Sequence, residues 1–267
     1  MKLESLGEVQ KMRFDNKVVI ITGAAGGIGK EIARKLANEG AKLTLVDLNE
    51  ANVKAVAEEL NLQEDRVLLL KADVSKEAEV KNYVDQTVSK FGRIDGFANN
   101  AGVEGPAKIL EEITEQDFDF VYNINVKGAF YGLKYVMPIM KQQKAGSIVN
   151  TASVAGLIGS PNMMLYNSSK HALMGMNKVA ALEAAPYNVR VNTVNPGVIN
   201  TQMMRQIEAK VAPGAAEAAQ SAYQDAVPMK RYGEPHEVAN VIAFLLSDEA
   251  SYVSSSSYTV DGSLYNI

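Results

Sequence analysis

The chain predicts an α/β fold in which a doubly wound parallel sheet is covered by helices on both faces. Three observations carry that expectation. Short β-branched runs alternate with longer segments of helical period, several runs are apolar at consecutive positions, and a glycine-rich turn joins the first run to the first helix. Consecutive apolar residues leave a strand no face for water, so both faces must be covered, as in a parallel sheet between two helix layers.

Taken in order, the strands are VVIIT at 18–22, LTLVD at 43–47, VLLLKAD at 67–73, IDGFAN at 94–99, SIVNTAS at 147–153, VRVNTVNP at 189–196 and SYTVDG at 257–262. Between them, helical period runs over Gly27–Glu39, Glu50–Leu60, Lys76–Phe91, Glu115–Lys141, Leu165–Ala185 and Pro235–Ser247. One stretch breaks the rhythm. From 197 to 232, Pro213, Gly214 and Pro228 interrupt alanine-rich helical pieces, so a mobile substrate flap is expected there. With no Pro/Gly/Ser-rich linker and no internal repeat, 1–267 reads as one domain, with residues 1–13 as a short flexible leader.

Composition narrows the function. At 267 residues and 47% hydrophobic, the chain can bury a sizeable core. It has 31 acidic against 27 basic residues, a formal net charge of −4, and no basic run to track nucleic-acid phosphates. The absence of cysteine excludes a disulfide frame, a thiol nucleophile and a thiolate metal site. Neither histidine, His171 nor His236, has neighbours at metal-ligand spacing, so no metal is expected. The longest apolar run, Val241–Leu246, is far too short to span a bilayer, and a cytoplasmic location is expected.

Thr22-Gly23-Ala24-Ala25-Gly26-Gly27-Ile28-Gly29 follows the first strand and opens an amphipathic helix. A strand, a glycine turn and a helix in that order suit a pyrophosphate, because bare backbone N–H groups and the positive helix end converge on the anion. Gly23, Gly27, Ile28 and Gly29 are the candidate contacts, in a Rossmann-type arrangement. The second strand ends in Asp47, about twenty residues on, where a carboxylate accepts from adenosine ribose hydroxyls and repels a 2′-phosphate. Leu48 after it offers no compensating charge, so NAD(H) is expected rather than NADP(H). Asp47 could instead cap the next helix, a task Asn49 could share.

Tyr166 and Lys170 stand four apart in a helical segment, one turn apart on one face. A tyrosine with an ordinary pKa of about 10 needs a nearby ammonium to act as a base near neutrality. That pair alone is common on solvated helices. Ser153, at the carboxyl end of a strand where open α/β sheets bind ligands, adds a third group.

These residues resemble those of the short-chain dehydrogenase/reductase family, in its single-domain branch, over nearly the whole chain. The marks are Thr22-Gly23-x-x-x-Gly27-x-Gly29, Asp73-Val74, Asn99-Asn100-Ala101-Gly102, Asn125, Ser153, Tyr166-x-x-x-Lys170 and Pro196-Gly197 followed by Thr201. The resemblance implies that Tyr166 exchanges a proton with the substrate oxygen and Ser153 hydrogen-bonds that oxygen. It implies that Lys170 holds the nicotinamide ribose and lowers the tyrosine pKa, and that Asn125 anchors a proton-relay water. Asp73 and Val74 would face adenine, Asn100, Ala101 and Gly102 the cofactor ribose, and Pro196, Gly197, Val198 and Thr201 the nicotinamide end. Asp73 could equally cap the helix after it, and Asn125 could satisfy a backbone group. One departure stands out: Ser254-Ser255-Ser256-Ser257 replaces the usual Thr-Gly before the last strand.

The implied activity is NAD(H)-dependent interconversion of a secondary alcohol and a ketone. Leu157, Met163, Met164, Met203 and Met204, with Ser153 and Tyr166, would form an apolar substrate wall suited to a cyclic ketone or hydroxysteroid. A polyol or sugar dehydrogenase of the same family and a silent NAD-binding sensor are the alternatives. The resemblance further implies a homotetramer, with no nucleic-acid or membrane partner.

Overall fold

In the computed structural model, which describes residues 12–266, seven parallel strands form one sheet in the order β3-β2-β1-β4-β5-β6-β7. They are β1 (Val18–Thr22), β2 (Lys42–Asp47), β3 (Val67–Lys71), β4 (Gly96–Asn99), β5 (Gly146–Thr151), β6 (Val189–Pro196) and β7 (Ser257–Val260). Each coincides with a strand read from the sequence.

Side-chain alternation on doubly buried strands explains the two helix layers. Val19 and Ile21 of β1 point to one face, with Leu43 and Leu45 of β2 beside them. There they meet α1 (Gly27–Asn38), α2 (Glu50–Glu59) and α9 (Pro235–Leu246) through Ile32, Leu36, Val53, Val238 and Ile242. Ile20, Phe97 and Ile148 point the other way. They meet α3 (Glu77–Phe91), α5 (Ala129–Gln143) and α6 (Met164–Ala184) through Val80, Tyr83, Val136, Met140 and Ala181. Each fully buried aliphatic side chain contributes about 1.5–3 kcal/mol to holding the helices on the sheet.

The stretch expected as one helix, Glu115–Lys141, is interrupted. It is built as α4 (Glu115–Tyr122), a π-helical segment at Asn123–Gly128, and α5. A π-turn widens the backbone ring and commonly marks a functional site.

The segment expected as a flap folds as α7 (Gln202–Val211) and α8 (Ala216–Ala226). Val198, Met204, Val227 and Tyr232 form a small core of their own, apart from the two sheet layers.

Of the expected leader, residues 1–11 lie outside the described residues, whereas Arg13 is tied to Glu39 at 2.7 Å and to Glu249 at 2.8 Å. The serine run is also accounted for. Ser255 adopts a left-handed φ of 60°, the conformation glycine takes most readily. The Ser254 hydroxyl accepts from the Val191 amide at 3.2 Å, and the Ser256 amide donates to Asn192 Oδ1 at 3.0 Å. These bonds lead β7 into register beside β6.

Candidate active site

The strand order reverses between β1 and β4, and at the carboxyl ends of these strands lies a cavity of about 560 Å³. Connections leaving β1 and β4 in opposite directions part there, which opens a crevice.

At one end is the glycine turn. Gly23 has φ 64°, and a Cβ on Gly29 would stand 2.0 Å from the Gly23 carbonyl oxygen, so α1 can pack on the turn only through glycine. Gly29 is buried beneath the turn, where it serves the packing that shapes it. Thr22 Oγ1 accepts from the Asn100 and Ala101 amides at 3.0 and 3.1 Å, and Asn100 Nδ2 donates to the Thr22 carbonyl at 3.1 Å. Asn100 thus fastens the turn to the end of β4. No side chain caps α1 at Gly26, so its first turn leaves amide groups free for an anion.

Asp47 is not a helix cap. Its Oδ2 accepts from the Ala25 amide at 3.0 Å, while Asn49 caps α2 by accepting from Asn52. Asp73 does not cap α3 either; its Oδ1 accepts from the Ser75 amide at 2.9 Å. Gly23, Gly27, Ile28, Asp47, Leu48, Asp73, Val74, Asn100, Ala101 and Gly102 all line the cavity.

Ser153, Tyr166 and Lys170 line the other end, with Pro196, Gly197, Thr201, Met203 and Met204. Ser153 begins a short 3-10 turn after β5, and its hydroxyl accepts from the Ala155 amide at 3.1 Å. Lys170 Nζ donates to the Thr151 carbonyl at 2.9 Å and stands 5.6 Å from the Tyr166 ring centre. Burial pulls the Lys170 pKa down to about 8.

Burial also pushes the Tyr166 phenol above its ordinary value, a hydrogen bond with Ser153 opposes that shift, and the Glu104 charge adds to it. The ammonium expected to depress the tyrosine is therefore not what governs it in the ligand-free chain: Lys170 is itself desolvated and bound to a carbonyl.

Asn125 is 1% exposed, sits in the π-segment and does not line the cavity. Its Oδ1 accepts from the Val103 amide at 2.8 Å, and its Nδ2 donates to the Val103 carbonyl at 2.8 Å and to Ser169 Oγ at 3.0 Å. Ser169 Oγ in turn donates to the Tyr166 carbonyl at 2.8 Å. The Asn125 side chain clamps the loop after β4 to the helical turn bearing Tyr166. A methyl group on Gly102 would stand 3.2 Å from Asn125 Oδ1 and 3.4 Å from Lys170 Nζ, so the three share one corner.

Four further residues expected at the site lie off the cavity wall. Val198 lies in the small flap core, with its carbonyl taken by the Gly233 amide. Leu157 closes the 3-10 turn, Met163 bridges to Lys108, and Met164 is exposed at the start of α6, all three off the cavity wall. The chain leaves the crevice directly after Ser153 and returns only at Tyr166. Instead, Val103, Ile124, Ile199, Gln202, Gln206 and Ile207 complete the wall. Thr201 lines it too, while its hydroxyl caps α7 by accepting from Met204 at 3.3 Å.

The parallel strand order and the glycine turn at its crossing point define a dinucleotide-binding type of α/β protein. The family profile described as Enoyl-(Acyl carrier protein) reductase matches residues 23–264. Levodione reductase of Leifsonia aquatica is 44% identical over 254 residues, covering 94% of each chain. Cyclohexanol dehydrogenase of Acinetobacter sp. (strain SE19) is 37% identical over 255 residues, covering 96% of this chain and 97% of that one. The crystal structure of levodione reductase superposes with a TM-score of 0.93 at 42% identity, over 95% of this chain and 99% of that one. That of NAD+-bound xylitol dehydrogenase gives 0.89 at 36%, over 94% and 99%. The chain belongs to the short-chain dehydrogenase/reductase family, and it is an oxidoreductase.

Proposed function

We propose that this oxidoreductase interconverts a secondary alcohol and a ketone with NAD(H), using Tyr166 as the proton donor and acceptor. The observation that carries the reading is one cavity holding both the glycine turn with Asp47 and the Ser153, Tyr166 and Lys170 set.

The uncapped first turn of α1 and the turn at Gly23 and Gly27 fit a pyrophosphate, and Asp47 and Leu48 fit an unphosphorylated adenosine ribose. The bound dinucleotide supplies or accepts the hydride. Ser153 and Tyr166 hold the substrate oxygen by two hydrogen bonds, which fixes the carbinol carbon in place. In reduction, the protonated Tyr166 gives its proton to that oxygen; in oxidation, it takes the proton back. Lys170 would hold the ribose hydroxyls of a bound dinucleotide and places a positive charge beside the phenol. Asn125, through Ser169, keeps the Tyr166 turn in register with the loop after β4.

The wall made by Val103, Ile124, Ile199, Met203, Met204 and Ile207 favours an apolar, cyclic ketone, in keeping with a relative named for cyclohexanol. Gln202 and Gln206 on the same wall support a second reading, a polyol, in keeping with the xylitol dehydrogenase neighbour. The working unit we propose is a homotetramer. Phe118, Phe120 and Phe130 on α4 and α5, and Val179 and Leu182 on α6, are exposed apolar side chains suited to self-association, which light scattering checks.

Turnover of cyclic ketones, hydroxysteroids and polyols with NAD(H) and NADP(H) tests the whole reading. A cyclic ketone reduced faster with NADH supports it. Tight NADH binding without turnover across the panel refutes it and favours a sensor.

A further inference from the structure

The two flap helices form a closed unit on a narrow stem. Ile199 bridges to Gly233, and the Asn200 amide donates to the Gly233 carbonyl at 2.8 Å, so the segment enters and leaves the body at one place. Inside it, the Tyr232 hydroxyl donates to Glu208 Oε1 at 2.7 Å, and Glu208 pairs with Arg205 at 3.1 Å. Its helix α7 supplies Gln202, Met203, Met204, Gln206 and Ile207 to the cavity wall.

Away from the stem, Lys210 carries a hydrogen-bonded contact across the cavity mouth. Lys210 Nζ donates to the Glu104 carboxylate and, at 3.0 Å, to the Gly105 carbonyl. Among the described residues, every hydrogen bond from α7 or α8 to a residue outside 198–233 comes from Lys210. The receiving post is rigid. Val103, just before Glu104, is held at both backbone groups by Asn125. Gly105 has φ 74° and packs so closely on Val121 of α4 that a methyl group there would stand 2.4 Å from that side chain. Glu104 is buried to 8% exposure, and its charge reaches Tyr166, which places the contact at the reacting end of the cavity.

We propose that the Lys210–Glu104 pair is a latch that holds the α7–α8 unit closed over the substrate, making Lys210 a positioning residue for the reaction. Leu264 and Gly262 pack on the unit's core near the stem, and at the far end, across the cavity mouth, the charged tie to a buried acceptor opposes its swing. Substrate enters and product leaves when that tie breaks. The inference rests on the proposed activity for its kinetic readout only.

Lys210→Met keeps the aliphatic stem and removes the charge; Lys210→Arg restores it. In the ligand-free protein, amide exchange across 202–226 is expected to accelerate about tenfold in Lys210→Met and to return in Lys210→Arg, since a charge-assisted bond is lost and then regained. The KM for ketone should rise with it, while the KM for NADH and kcat stay within about twofold. Exchange unchanged in Lys210→Met, or a ketone KM that does not move, overturns the latch. Exchange is read without turnover, so a protein that reduced no ketone would remove the catalytic reading and leave the latch to be judged on exchange alone.

Discussion

Lys170→Met separates what the site costs from what it does. Lys170 is 4% exposed, and burial takes its pKa from 10.5 to about 8. At ~1.4 kcal/mol per pKa unit this is a penalty of about 3 kcal/mol carried by the folded, ligand-free protein. Methionine removes that penalty but also the bond to the Thr151 carbonyl, which returns about 1 kcal/mol, leaving a gain of about 2 kcal/mol. For a chain of this size, about 2–4 °C per kcal/mol gives a melting temperature raised by roughly 5 °C at pH 7. The size of the gap depends on pH in a defined window. Below about 8 the lysine is protonated in both folded and unfolded chains, and the penalty is fully present. Between about 8 and 10.5 the folded form loses its proton while the unfolded form keeps it, so wild type gains stability and the gap narrows. Calorimetry of both ligand-free proteins from pH 7 to 10 reads this directly. A melting temperature that falls at pH 7, or a gap that widens above pH 8, would refute the desolvated lysine.

Tyr166→Phe should cut ketone reduction by at least about a thousandfold while NADH fluorescence titration shows unchanged affinity. Asp47→Asn keeps an acceptor for the Ala25 amide but removes the charge, so the NADP(H) to NAD(H) preference should rise about tenfold or more in kcat/KM. Asn125→Ala deletes three buried hydrogen bonds and leaves both Val103 backbone groups unpaired. It should cost about 3 kcal/mol in a denaturant melt and lower kcat, with kcat falling even where the protein is fully folded.

The layers of this protein were legible to different depths for physical reasons. A strand such as VVIIT is apolar on both faces, and that requirement is written in consecutive residues. Ser153, Tyr166 and Lys170 could be read because a resemblance supplied their order. The widening of the helix around Asn123–Gly128 could not: it arises where Asn125 reaches across to Val103, a partner 22 residues away. Leu157, Met163 and Met164 were expected in the pocket because they neighbour Ser153 in sequence, yet the 3-10 turn and the Lys108 bridge carry them off its wall. The closing wall of Gln202, Gln206 and Ile207 depends on how α7 lies over the crevice, and the Lys210–Glu104 pair joins residues 106 apart; no local pattern announces either.

The central claim is that a bound reduced nicotinamide and the Tyr166 hydroxyl serve one substrate oxygen and its carbon. Incubating wild type and Tyr166→Phe with cyclohexanone and NADH deuterated at C4, then locating deuterium by mass spectrometry and NMR, tests it most directly. Deuterium on the carbinol carbon with wild type, and none with a Tyr166→Phe protein that still binds NADH, is the expected result. Labelled alcohol from Tyr166→Phe at a rate near wild type, or unlabelled alcohol from wild type, would contradict it.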